Sequence, residues 1–201
     1  SGDVIFNSVS VGKGANSVAN NTVLGESALD ASVSGGNNTA IGKDALTANT
    51  SGQRNTAVGS QSGDAVTTGS YNTAVGYNSL GANTSGQNNT AVGDAALFES
   101  TTGEGNTGVG KSALISNTTA SNNTAVGFNS LLANTTGTQN TAVGTFALDA
   151  NTTANSNTGI GYHSLSANTT GYQNTASGSL SLDSNTTGAH NTAVGYAALD
   201  S

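Results

Sequence analysis

"NNTAVGFNSLLANTTGTQNTAVG", residues 122 to 144, says one thing twice: Asn123-Thr124-Ala125-Val126-Gly127 returns 17 residues later as Asn140-Thr141-Ala142-Val143-Gly144. A fixed period of this kind decides the architecture before any helix or strand is assigned. Stepping by 17 from Asn21 gives eleven registers without an insertion or deletion, beginning at Asn21, Asn38, Asn55, Asn72, Asn89, Asn106, Asn123, Asn140, Asn157, Asn174 and Asn191. Position one is Asn, position two Thr and position five Gly in all eleven. Position four is Val, Ile or Leu except at Ser177, and position nine is Leu except at Gly63. Position eight is Ala or Ser, and position thirteen is Thr except at Val33. The consensus is N-T-A-V-G-x-x-A-L-x-A-N-T-T-G-x-x, and Asn123, Thr124, Val126, Gly127 and Leu131 stand for its structural columns.

An unbroken step predicts a solenoid in which each repeat is one coil and like residues stack in columns. Helical-hairpin repeats need far longer units, and Gly, Asn and Thr are poor helix formers, so the coil is expected to be β. Thr-Ala-Val then reads as a short strand ending at a Gly that supplies an unusual φ or a close backbone approach. Positions seven to eleven read as a second strand, with a single helical turn as the alternative. Asn-Thr-Thr-Gly closes the coil through side chains that hydrogen-bond their own backbone. On this reading positions two and four share one strand face, turned inward or toward a neighbouring chain, and burial of Val and Leu supplies the apolar core. That burial falls short of the entropy of ordering 17 residues per coil. Ladder hydrogen bonds, Asn columns and apolar contact with other chains are expected to supply the rest.

Composition sets the outer bounds. The 201 residues include 28 Gly and no Pro, Cys, Met or Trp, with 34% hydrophobic and 7% charged. Large core-filling side chains are too scarce for an ordinary globular interior, and the low charge departs from the usual disordered class. The net charge of -7, with only Lys13, Lys43, Arg54 and Lys111 as cations, lacks the basic footprint of a nucleic-acid binder and disfavours anionic membranes. No apolar run approaches the ~18 residues of a membrane span. The opening "SGDVIF" and the stop in mid-repeat at "YAALDS" read as a piece of a longer protein. Residues 1–20 are expected to form an N-terminal cap, and residues 21–201 the eleven repeats, the last one truncated.

Within that cap, Asn7-Ser8-Val9-Ser10-Val11-Gly12 precedes Asn21 by 14 residues. It resembles the repeat of YadA-like heads of trimeric autotransporter adhesins. The later N-T-A-V-G units are similar to those of trimeric phage-tail-type and bacterial surface fibre proteins. This resemblance implies an all-β, parallel β-solenoid of the left-handed β-roll type. It further implies a homotrimer, intertwined or side by side, that serves attachment outside the cell, on a cell surface or on a phage. The 17-residue period is longer than the family's own and makes a wider coil.

Specificity must then sit in the variable columns. Position six holds Tyr77, Phe128, Tyr162 and Tyr196, and Phe146 and Tyr172 lie elsewhere. Exposed aromatics of this kind can stack on sugars or anchor a protein, or they can simply cover seams of the assembly. The candidate partners are therefore a second and third copy of the chain and a cell-surface glycan or protein. A passive spacer shaft is the alternative, with recognition in a tip outside these residues. An ice- or lattice-binding solenoid is the second alternative, weakened on this reading because the Thr at position two turn inward or toward a neighbouring chain. No enzyme, cofactor or metal is expected. His163 and His190 fall in different columns, no Cys is present, and Asp30, Asp64, Asp149, Asp183 and Asp200 share position ten as a solvated face. Neighbouring Asp183 and Asp200 can share a cation or repel one another.

Overall fold

A computed structural model describes residues 3–31 and 34–200, leaving Ser32 and the position-thirteen exception Val33 outside the described residues. The chain forms one 13-stranded sheet whose strands follow sequence order. These are β1 Val4–Phe6, β2 Val9–Gly12, β3 Thr22–Gly25, β4 Thr39–Ile41, β5 Thr56–Val58, β6 Thr73–Val75, β7 Thr90–Val92, β8 Thr107–Val109, β9 Thr124–Val126, β10 Thr141–Val143, β11 Thr158–Ile160, β12 Thr175–Ser177 and β13 Thr192–Val194. Strands β3 to β13 are parallel, each matched to its equivalent one repeat on, as in Thr124↔Thr141 and Val126↔Val143. The 17-residue unit is therefore one coil of a parallel β-solenoid. Apart from one 3-10 turn, Ala15–Ser17, there is no helix among the described residues.

The opening strands do not extend that ladder. β1 and β2 form an antiparallel hairpin, and β2 runs antiparallel to β3 with Val11 opposite Leu24. Asp3 fastens the loop after β2, its two carboxylate oxygens each accepting a backbone N–H, from Lys13 and Gly14 at 2.7 Å.

The interior is narrow. Position three faces it, and Ala40, Ala57, Ala91, Ala125, Ala142 and Ala176 are fully buried there. Leu at position nine enters from the opposite side, and eight of these leucines are among the largest fully buried side chains. Where position three is Gly, as at Gly108, an added Cβ would already lie 3.3 Å from Leu97. Leu therefore limits position three to small residues, and the strand turns its larger Thr and Val outward. This corrects the inward assignment of positions two and four: Val126 is 37% exposed, and the Thr of the column are half-exposed or exposed.

Two polar columns complete the core. From Asn21 to Asn174 each position-one Asn is buried, accepts the backbone N–H of the next Asn in the column, and donates its amide to the position-fifteen carbonyl of its own coil. Asn123 does so with Asn140 N at 2.9 Å and Gly137 O at 2.8 Å. One amide thus staples a coil to its neighbour and shuts the coil on itself. At position twelve a second Asn column links Asn117, Asn134, Asn151, Asn168 and Asn185 through side-chain bonds of 2.9 to 3.1 Å.

Positions seven to eleven are neither strand nor helical turn. Residues at seven and nine take left-handed backbone, as with Asn129 at φ 55 and Leu131 at φ 49. Their N–H groups still bond neighbouring coils, Asn129 to Lys111 O at 3.1 Å and Leu131 to Ala147 O at 3.0 Å. Inter-coil hydrogen bonding therefore continues around the coil outside the three-residue strands. This two-sided clamping, with a buried side chain, holds leucine in a conformation it rarely adopts.

Candidate functional site

In the column at position six, adjacent coils pair their side chains at two places. Lys43 pairs with Glu26 at 3.4 Å and Lys111 with Asp94 at 3.7 Å, each pair bridging adjacent coils. Both pairs are at least half exposed and contribute little to stability. They fix instead what the column is: an outward row in which consecutive coils set side chain against side chain.

Beyond Lys111 the row changes character. It continues as Phe128, Thr145, Tyr162, Ser179 and Tyr196, an aromatic on every second coil with a hydroxyl residue between. Phe128 is 42%, Tyr162 53% and Tyr196 77% exposed. Position seven props two of these rings. Phe146 meets Phe128 edge-on with centroids 5.4 Å apart, His163 lies 4.3 Å from Tyr162, and Phe146 and His163 are 5.0 Å apart. Phe128, Phe146, His163 and Tyr162 thus form one continuous strip of rings across three coils.

The other predicted aromatics are elsewhere. Tyr77 is exposed in the same column but has no ring neighbour among the described residues, and Tyr172 packs on His190 at 5.1 Å near the coil closure. Tyr71 lies beside Arg54, accepting a 2.6 Å hydrogen bond from its guanidinium. Asn123 and Leu131 are fully buried, as columns of the architecture should be. Sequence reasoning missed His163 as a support for Tyr162. The signal was available, since positions six and seven are adjacent in the chain and one coil apart across the ladder.

A second surface is the sheet itself. Leu24, Ile41, Val58, Val75, Val92, Val109, Val126, Val143, Ile160 and Val194 form a single outward apolar row interrupted only by Ser177, with the Thr of position two beside it.

The position-ten carboxylates do not converge. Asp30 and Asp200 are exposed, while Asp64, Asp149 and Asp183 are half-buried. Desolvation raises the carboxyl of Asp149 above the ordinary carboxylate range, with Asp183 adding to the rise and His163 opposing it. Burial likewise raises Asp64. Asp183 accepts a hydrogen bond from the Ser166 hydroxyl. Among the described residues no group of three or more His, Cys, Asp or Glu is placed to hold a metal ion, and no helix is long and apolar enough to cross a membrane. Comparison with family profiles, curated proteins and solved structures finds no match to this chain.

Proposed function

We propose that this chain is a rod segment of an extracellular attachment fibre, in which three copies with left-handed coils stand side by side and join through their Thr/Val sheet faces. The observation that carries the reading is the outward apolar row from Leu24 to Val194. The chain's own core is filled by Ala and Leu and makes no use of it. An apolar stripe about 50 Å long, from eleven strands at the usual spacing and broken only at Ser177, is the kind of contiguous outward surface that marks an interaction site. A rotation axis parallel to the solenoid sets identical rows against one another and closes the assembly. Three copies then present their outer columns together, so weak contacts to a cell-surface glycan or protein add.

Sedimentation equilibrium tests the assembly. A mass of three chains is expected, reduced to one chain in the double variant Val92→Asp/Val126→Asp with unchanged far-UV circular dichroism. A single-chain mass for the unmodified protein overturns the reading. Failure of a correctly assembled trimer to bind any cell surface favours a spacer shaft.

The same face supports a second reading, lattice binding. The Thr column points outward in regular ranks about 4.8 Å apart. Thermal hysteresis by a single-chain particle, abolished by Thr90→Lys/Thr124→Lys, is the result that reading requires.

A further inference from the structure

We infer that Phe128, Thr145, Tyr162, Ser179 and Tyr196 form a binding strip for an uncharged, extended β-1,4-linked glycan lying along the solenoid axis. The inference rests on the attachment reading and names its ligand class.

Period is the first ground. Phe128 and Tyr162 are two coils apart, as are Tyr162 and Tyr196, which at the parallel strand spacing is about 9.5 Å per step. In an extended β-1,4-linked chain successive sugars are turned over, so like faces recur at every second sugar, a repeat comparable to this one. Each ring can then meet the same face of every second sugar, and the sugars between lie over Thr145 and Ser179. Neither of those hydroxyls has a hydrogen-bond partner among the described residues, leaving both for sugar hydroxyls.

Pre-organisation is the second ground. Phe146 against Phe128 and His163 against Tyr162 restrict the rings before any ligand arrives. Less side-chain freedom is then lost on binding.

Charge is the third. No Lys or Arg occurs from residue 112 to residue 201, while Asp149, Asp183 and Asp200 do. A sialylated, sulfated or uronic-acid glycan finds no lysine or arginine in the column beyond Lys111, which is itself paired with Asp94. The earlier part of the column differs, since Glu26 with Lys43 and Asp94 with Lys111 satisfy one another.

Titration calorimetry on the full chain tests this with β-1,4-linked glucose hexamers, β-1,4-linked N-acetylglucosamine hexamers and β-1,4-linked polymannuronate. Binding of at least one neutral hexamer is expected, stronger than its dimer because three rings span five sugars, with none of the anionic polymer. The two hexamer arms decide which sugar is the source. Phe128→Ala, Tyr162→Ala and Tyr196→Ala should each weaken binding roughly threefold to tenfold, while Tyr77→Ala leaves it unchanged. All four rings are exposed, and circular dichroism confirms that the variants remain folded. No binding of either hexamer, equal binding of polymannuronate, or full affinity in the triple variant overturns the proposal. The sedimentation mass is independent of these outcomes, so a failed glycan strip and a failed fibre reading are separately visible.

Discussion

At the scale of the residue, the two most constrained columns fail in different ways when altered. Gly127 has φ +136, and a Cβ there would lie 2.5 Å from Gly144 O, so neither the conformation nor the space admits a side chain. Gly127→Ala is expected to cost about 3 kcal/mol or more, measured by denaturant unfolding. Leu131→Ala leaves a cavity inside a clamped backbone and should cost about 2–5 kcal/mol. Asp149 behaves in the opposite sense. Its folded carboxyl holds a proton more tightly than the unfolded one, whose ordinary value is 3.8. Stability from this group is therefore present at acid pH and declines as pH rises from that value through the raised folded one. Asp149→Asn should raise the melting temperature at neutral pH and leave it nearly unchanged below the ordinary carboxylate range; a variant less stable than the parent at pH 7 would contradict the assignment.

At the scale of the element, the Asn column of position twelve is broken where Val66 and Ser100 replace Asn. Between them Asn83 is fully buried with neither amide atom hydrogen-bonded, and the Ser100 hydroxyl is also buried without a partner. Val66 has a separate use: only 1% exposed, it refills the space that Gly63 leaves by replacing Leu, and its Cγ2 lies 3.4 Å from where a Gly63 Cβ would sit. The packing that Gly63 forfeits by replacing Leu is thus made good, and the cost falls on the polar column. Ser100→Asn, which joins Asn83 to Asn117, should stabilise the chain by about 1–3 kcal/mol in chemical denaturation. Much of this layer is readable from residue identities. Invariant Asn and Gly announce the period, the coil and the turn. The face taken by Val126 is not readable, because Thr-Ala-Val alternates equally well in either sense. What decides it is the space left by a Leu arriving from the far side of the coil. Nor does any residue type announce left-handed backbone at Leu131, which depends on inter-coil bonds on both sides. The aromatics were visible as candidates, but their grouping needed the coil geometry that sets Phe146 beside Phe128 and His163 beside Tyr162.

At the scale of the whole molecule, the coil is the unit of change. Deleting residues 123–139 removes one coil and carries Asn140 into the place of Asn123, so every column re-forms. Deleting 123–138 offsets every column beyond the cut by one. The first variant should keep the parent circular dichroism spectrum and lose only one coil's share of stability, whereas the second should lose cooperativity. The hydrogen bonds that join the coils also point along the rod, and this sets its behaviour under tension. Pulled by its ends, the rod loads one ladder at a time in an unzipping geometry, without shearing many rungs together. It should therefore yield at low force in a long train of nearly equal events. Each event releases 17 residues, or about 55–60 Å of contour, less the one strand spacing that coil occupied. A tether built this way lengthens under a sudden load while the coils that have not yet opened hold their grip.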